Sequence, residues 1–160
     1  MQMSPEMDAD PVDDALLRHL VVDARATNRE LARAVGIAES TAHARTRRLE
    51  QRGVITGYEA VVRQDRLGRG LQALIGVTLR AGARQASITK FSEGVRALPE
   101  VNQVFFLGGA DDFIVHVAVE NSSALRRFVV DNLSGNATVA STRTSIVFEY
   151  SRNVSTASFD

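Results

Sequence analysis

The sequence predicts an α+β fold: an N-terminal three-helix (winged) helix-turn-helix domain, then a C-terminal βαββαβ ferredoxin-like domain. Residues 12–62 show helical periodicity with start and stop signals, whereas strand-like alternation appears in residues 71–150. Between them, residues 63–70 (RQDRLGRG) are polar and contain two glycines, which indicates a linker. The polar, unpatterned ends, residues 1–11 and 151–160, are assigned to flexible tails.

Two helices are predicted at the start of the first domain. Residues 12–25 place five apolar side chains on one helical stripe, namely Leu16, Leu17, Leu20, Val21 and Ala24. Thr27 followed three residues later by Glu30 is a capping box, in which each side chain satisfies a free backbone N–H at a helix start. Gly36 ends this second helix.

A third helix is predicted after the turn Gly36-Ile37. At 100° per residue, its inward face is small and apolar, consisting of Ala38, Ala42, Thr46 and Leu49. Its outward face is polar and basic, consisting of Ser40, Ala44, Arg47, Arg48 and Gln51. Gly53 predicts a left-handed stop, and the extended segment that follows, ITGYEAVV, is predicted to be a strand.

The second domain alternates between two periodicities. Period-2 segments predict four strands, LQALIGVTL, VNQVFFL, FIVHVAVE and TVASTRTSIVFEY. Period-3.6 segments predict two helices, carried by Ile88, Phe91, Val95 and Leu98 and by Leu125, Phe128, Val129 and Leu133. Two helices cover only one face of a four-stranded antiparallel sheet, yet the first strand is apolar on both faces. We therefore expect the second face to join a second copy in a homodimer.

Charge is balanced in total but not along the chain. Nineteen basic and nineteen acidic residues give a net charge of zero. Residues 1–14 hold five acids and no base, whereas residues 15–63 hold nine bases against five acids. The positive excess therefore falls on the predicted helical domain, as expected of a polyanion-binding surface.

Several classes of protein are disfavoured. There is no cysteine, which excludes disulfides and thiolate metal sites, and the sequence shows neither a secretory leader nor an apolar run of membrane-spanning length. We expect a cytoplasmic protein. The three histidines, His19, His43 and His116, lack metal-ligand spacing, and no catalytic triad, carboxylate pair or phosphate loop is evident. We therefore expect no metal, no cofactor and no enzymatic activity.

The third helix has the features of a DNA-recognition helix. In a helix-turn-helix, the second helix of the motif enters the major groove and presents its N-terminal residues to base edges. Ser40, Thr41, His43 and Ala44 are placed to meet bases, while Arg47 and Arg48 are better placed for the backbone or a flanking base. The predicted DNA-binding set also includes Arg45. The alternative is a solvated amphipathic helix, but a capped three-helix array with short turns favours DNA binding.

The motifs resemble one family of transcription factors. The spacing of Asp13, Leu17, Leu20 and DAR (23–25), followed by NRELARAVGI (28–37), Arg45, RLE (48–50) and GVITGY (53–58), is similar to the N-terminal domain of the leucine-responsive regulator and asparagine-activator (Lrp/AsnC) family. The βαββαβ half resembles the same family's effector-sensing module, so the similarity covers residues 12–150.

The resemblance implies a sequence-specific DNA-binding regulator of a palindromic operator. Such proteins form homodimers, often assemble further into tetramers or octamers, and bind small effectors, commonly amino acids, where sensing modules of different dimers meet. The family's Gly-x-x-Asp turn matches residues 109–112, next to Gly108, and its last-strand effector contacts match Ser145, Ile146 and Val147.

The predicted effector site has a simple chemistry. Backbone N–H groups of Gly108 and Gly109 can hold a carboxylate while Asp112 holds an ammonium, and an amino acid presents both groups. The alternative is that these residues only build a hairpin turn.

Two residues depart from the family pattern. Ala38 stands where a capping Ser is usual, which forfeits about 1 kcal/mol of helix stability. Ala110 stands where an Asp is frequent, which leaves open a different effector or none. Two other functions stay open: a tetrapyrrole-pathway (siroheme-type) decarboxylase of similar architecture, and a sensing or scaffold protein whose helices bind protein.

Overall fold

The computed structural model describes residues 10–82 and 85–151 and divides them into two compact units. The N-terminal unit ends at Val61, and the C-terminal unit is Val62–Tyr150. Most of the predicted tails, residues 1–9 and 152–160, lies outside the described residues. No helix within the described ranges is long and apolar enough to cross a membrane.

Two helices form at the start of the N-terminal unit as predicted, but the first ends at Val22, so Ala24 lies beyond it and Val21 is 46% exposed. Helix α1, Pro11–Val22, begins inside the predicted tail because the Asp10 side chain accepts a hydrogen bond from the Val12 N–H (2.9 Å) and caps the helix. Helix α2, Asn28–Val35, has the predicted capping box and ends at Gly36, whose φ of 77° is left-handed. Both helices pack around the buried residues Leu16, Leu20, Leu31, Ala32 and Ala42.

Helix α3, Glu39–Gln51, buries three of the four predicted inward residues, Ala42, Thr46 and Leu49; the fourth, Ala38, precedes the helix and is exposed. Gly53 follows it with a φ of 70°, as predicted. The predicted strand after this glycine is wrong: residues 54–62 form no strand in the structure. An isolated extended segment has no ladder hydrogen bonds, and no neighbouring strand of the described chain lies beside it.

The C-terminal unit has the predicted βαββαβ order. After a 3₁₀ turn, Gln64–Leu67, the elements are β1 (Leu71–Leu79), α4 (Gln85–Arg96), β2 (Val101–Phe106), β3 (Phe113–Val119), α5 (Ser122–Phe128) and β4 (Val139–Val147). Helix α5 continues as a π-helical turn, Val129–Ser134. The four strands are antiparallel, in the order β2-β3-β1-β4, which is the ferredoxin-like arrangement that the sequence predicts.

The two faces of the sheet differ. The face under the helices is the core, where Ala73, Ile75 and Val77 of β1 pack against α4 and α5. On the opposite face, Leu74 of β1 lies beside His116 of β3 and is 39% exposed, and Phe105 is 46% exposed. Neither α4 nor α5 covers this second face, which is partly apolar, as the sequence predicts.

Candidate DNA interface and effector site

Six of the seven predicted DNA-binding residues form one exposed surface on α3. Ser40 and Thr41 occupy the first turn, and Arg47 and Arg48 lie one to two turns further along; His43 and Ala44 are exposed between them. Arg47 makes no ion pair with any described residue; Arg48 lies 3.8 Å from the Asp13 carboxylate (Nη2 to Oδ2), and its side chain is 55% exposed. This surface presents hydroxyls near the helix start and guanidinium groups further along, the order that major-groove readout requires.

The beginning of α3 lacks a side-chain cap. Ala38 has the extended backbone of an N-cap (φ −71°, ψ 148°), but its methyl group accepts no hydrogen bond. The first N–H groups of a helix point outward with a partial positive charge. These donors, beside Ser40 and Thr41, are well suited to a phosphate oxygen.

The seventh residue, Arg45, is partly exposed and points toward the start of α1. Its guanidinium donates to the Asp13 carboxylate (Nη1 to Oδ1, 2.8 Å) and to that of Asp10, and its side chain is only 24% exposed. The hydrogen bond from Arg45 lowers the pKa of Asp10, and those to Asp13 and Asp10 raise the pKa of Arg45. The structure therefore departs from the predicted set here, because Arg45 joins α3 to the start of α1.

Two further side chains of α3 contact the rest of this unit. His43 is within hydrogen-bond distance of Asn28 at the start of α2 (Nδ1 to Nδ2, 3.1 Å). Thr46 is buried, and its hydroxyl has no hydrogen-bond partner within the described residues. Such a hydroxyl destabilises the fold relative to an apolar side chain of the same shape.

In the second candidate site, Asp112 holds the turn together. Its backbone N–H donates to the Val77 carbonyl (2.9 Å), and its carbonyl accepts from the Leu107 N–H (2.8 Å). Its carboxylate accepts from the Leu79 N–H (2.7 Å), at a point where the pairing of β1 with β4 is irregular. The Asp112 carboxylate thus binds the backbone of β1 through one oxygen, a structural contact that the sequence did not predict beside the expected ammonium-binding role.

The neighbouring carboxylate, Asp111, forms the charged part of this site. It pairs with Arg143 on β4 (Oδ2 to Nη2, 2.6 Å), and the two side chains are 15% and 70% exposed. A Cβ on Gly76 of β1 would lie 2.7 Å from the Asp111 carboxylate, so a larger residue there would displace that carboxylate from its present position. Strands β1 and β4 thus place a guanidinium against an aspartate at the end of the turn.

Gly108 and Gly109 are exposed, and neither a left-handed backbone nor close packing accounts for glycine at these two positions. Neither has a left-handed φ, and an added Cβ on either would meet no atom within 4 Å. The alternative that these glycines serve the turn's dihedral angles is therefore not supported. Their backbone is left open to an approaching ligand.

The three predicted positions on β4 do not share a face. Ser145 and Val147 pair with Leu74 and Gln72 on the uncovered face, whereas Ile146 pairs with Ala73 on the helix-covered side. Sequence reasoning missed Arg143 and Gly76, which lie opposite each other in the β1–β4 register. The sequence shows a charged residue and a glycine within predicted strands. It does not show the strand register that places them opposite each other.

Two family models match the chain in the order of its two units. The AsnC-type helix-turn-helix domain matches residues 10–50, and the Lrp/AsnC ligand binding domain matches residues 72–153. These matches define a class of proteins that join an AsnC-type helix-turn-helix to a ligand binding domain. The chain belongs to the Lrp/AsnC family.

Relatives and solved structures agree with this membership. The HTH-type transcriptional regulator AldR of Mycolicibacterium smegmatis is 46% identical over 148 residues, 92% of this chain and 86% of AldR. The crystal structure of MtbAldR has a TM-score of 0.73 at 42% identity and covers 90% of this chain and 97% of that one. A transcriptional regulator from Neisseria meningitidis in complex with L-Met has a TM-score of 0.82 at 30% identity and covers 90% of this chain and 92% of that one.

Proposed function

We propose that this protein is a sequence-specific DNA-binding transcriptional regulator whose C-terminal unit senses an amino acid. The observation that carries the proposal is the outward surface of α3, where hydroxyls, an uncapped helix start and two exposed arginines lie together. The helix-turn-helix family match and the names of the relatives support it. Arg47 and Arg48 bind phosphates, and Ser40 and Thr41 meet base edges.

Arg45 acts as a positioning residue in this proposal. Its hydrogen bonds to Asp13 and Asp10 fix the orientation of α3 against α1, and thereby aim the outward surface. A residue of this kind changes affinity through geometry and does not neutralise a phosphate.

The regulator works as a homodimer joined through the uncovered sheet face, and the dimers assemble further, as the family resemblance implies. The partly apolar surface around Leu74 and Phe105 supports this arrangement. A two-fold dimer presents two recognition helices to major grooves about one helical turn, ~34 Å, or a multiple of it apart. The operator is therefore palindromic.

The effector site lies at the turn 107–112 and the adjacent part of β4. Arg143 binds the effector carboxylate and Asp111 its ammonium, so that a zwitterion replaces both halves of the ion pair. The exposed N–H groups of Gly108 and Gly109 add donors for the carboxylate. The L-Met complex of the Neisseria relative supports an amino acid as the class of effector.

Selection of DNA from a genomic library by the purified full chain tests the DNA-binding proposal. We expect recovered fragments to share a palindrome, and sedimentation to show a dimer or a larger even assembly on them. Recovery of no preferred sequence at low ionic strength would contradict the proposal, and would favour the scaffold function. A Soret band on the purified protein would favour the decarboxylase.

A further inference from the structure

One carboxylate of α1 lies against two arginines of α3. Asp13 is largely buried, and its Oδ1 accepts a hydrogen bond from Arg45 Nη1 (2.8 Å), while its Oδ2 lies 3.8 Å from Arg48 Nη2. Residues three positions apart on a helix share one side of it, so one carboxylate can face both guanidinium groups. Asp13 therefore connects α1 to Arg45, the positioning residue, and to Arg48, a residue of the outward surface.

The two arginines use Asp13 differently. Arg45 donates to Asp13 and to Asp10, so two carboxylates balance its single charge. Arg48 is more than half exposed, and its distance of 3.8 Å from Asp13 is too long for a hydrogen bond. The contact with Asp13 is therefore electrostatic, and it does not use the N–H groups that Arg48 can donate to another acceptor.

Arg48 also borders a shallow depression on the outward surface of α3. The depression has a volume of about 450 Å³ and is lined by Ser40, Thr41, Ala44, Arg45 and Arg48. Its lining joins two hydroxyls at the helix start to guanidinium groups further along, and both kinds of donor suit phosphate oxygens. Arg48 therefore lies beside Asp13 and also borders the surface that we propose for DNA.

A carboxylate beside a phosphate-binding arginine has two opposite effects. Its charge repels the phosphate, which weakens binding. Its attraction also limits the rotamers of a long side chain before DNA arrives, so less conformational entropy is lost when the arginine binds. At Asp13 the repulsion is reduced, because Arg45 neutralises the same carboxylate at a shorter distance. We therefore expect the ordering of Arg48 to be the larger effect.

We propose that Asp13 is a positioning residue for DNA binding, which orients Arg48 toward the phosphate backbone. This inference rests on the proposed function, in which Arg48 binds a phosphate. Among the ion pairs of the described residues, Arg48 pairs with Asp13 alone. The nearby carboxylates have other partners, since Asp14 pairs with Arg18 within α1 (2.5 Å) and Asp10 pairs with Arg45.

Binding of the full chain to a duplex recovered by genomic selection tests this role. Asp13→Asn keeps an oxygen that can accept from Arg45 and removes the charge that faces Arg48. We expect its affinity for the duplex to fall about fivefold, the upper end of the coupling found for exposed ion pairs. Asp14→Asn is the matched control, because it removes the same charge from the adjacent residue, whose partner Arg18 lies on α1 itself. Its affinity should equal or exceed that of the parent protein.

A double-mutant cycle shows whether Asp13 acts through Arg48. Arg48→Gln removes the cation, and in that protein Asp13→Asn should change the affinity by less than about twofold, since no arginine is left to orient. An effect through Arg45 or through the fold would instead give the same loss in both backgrounds. Melting temperatures of all the variants identify any loss of folded protein.

Side-chain motion in the free parent protein provides a test that needs no substitution. Arg47 and Arg48 are neighbours on α3, and Arg47 makes no ion pair with a described residue. NMR relaxation of their Nε–H groups should give Arg48 the higher order parameter, because Asp13 limits its rotamers. Equal order parameters would overturn the proposal, even if Asp13→Asn failed to fold.

The outcomes separate this role of Asp13 from DNA binding itself. A loss of affinity in Asp13→Asn that disappears in the Arg48→Gln background supports the positioning role. An affinity equal to that of Asp14→Asn, or the same loss in both backgrounds, overturns the positioning role and leaves the proposed DNA binding intact. A parent protein that selects and binds no duplex overturns both.

Discussion

The outward surface of α3 and the turn at residues 107–112 both concentrate charged side chains, but they use them in opposite ways. On α3, Arg47 is exposed and pairs with no described carboxylate, while Arg48 is 55% exposed and makes only a long ion pair with Asp13 (3.8 Å). At the turn, Asp112 binds the backbone of β1, and Asp111 is paired with Arg143. Charges left free can bind a polyanion at long range, whereas charges already paired bind a ligand only by exchanging partners. The helix is suited to DNA, and the turn to a small zwitterion.

The largest expected effect is the difference in stability between variants of the two aspartates of the turn. Asp112→Ala removes a charged acceptor from the Leu79 N–H and should lower the free energy of unfolding by about 2 kcal/mol. Asp111→Ala breaks a pair whose arginine is 70% exposed and should cost less than about 1 kcal/mol. Chemical denaturation of both variants measures this difference, and a greater loss in Asp111→Ala would contradict the structural role of Asp112.

A smaller effect, in the opposite direction, is expected on the inner side of α3. Thr46→Val keeps the shape of the side chain and removes a buried hydroxyl without a described partner, so stability should rise by about 1 kcal/mol. Thermal unfolding measures the change, with the exposed Thr41→Val as the control. A destabilised Thr46→Val protein would show that the hydroxyl makes a hydrogen bond after all.

A substitution at the start of α3 should raise the stability by a similar or smaller amount. Ala38 already has the extended backbone of an N-cap, so Ala38→Ser should supply the missing acceptor and add roughly 0.5–1 kcal/mol. Thr27→Ala, which removes the capping box of α2, should cost a similar amount. If Ala38→Ser melted no higher than the parent protein, the missing cap would be shown not to limit the stability of this helix.

The smallest expected effect is a change of stability with pH that depends on His116, a residue of the second sheet face. Burial lowers the pKa of His116, so the folded state binds fewer protons than the unfolded state near pH 6. The stability of the parent protein should therefore fall as the pH drops below about 6.5, whereas His116→Gln should lose this component. Melting temperatures at pH 7.5 and 5.5 provide the measurement, and an identical pH dependence in both proteins would contradict it.

Local signals in the sequence predicted most of the fold. The capping box at Thr27, the left-handed Gly36 and Gly53, and three of the four inward residues of α3 depend on contacts within a few residues and are confirmed, whereas Ala38 is exposed. The strand after Gly53 was wrong because a strand exists only through a partner, and periodicity does not supply one.

The candidate sites were harder to predict, because pairing is a tertiary property. Arg45 and Asp13 are 32 positions apart, as are Arg143 and Asp111, and only the fold brings each pair together. The exposed side chains of α3 were predictable because a helix displays its outward face regularly. At the turn, chain order could not show which of two adjacent aspartates is used by the backbone.

The salt dependence of operator binding tests the central claim most directly, namely that Arg47 binds phosphate while Arg45 only positions the helix. Affinity is measured from 50 to 200 mM salt for the parent protein, Arg47→Ala and Arg45→Ala. Arg47→Ala should reduce the slope of log affinity against log salt by about 0.9 for each bound chain, whereas Arg45→Ala should weaken binding with the slope unchanged. An unchanged slope in Arg47→Ala, or a reduced one in Arg45→Ala, would contradict the account.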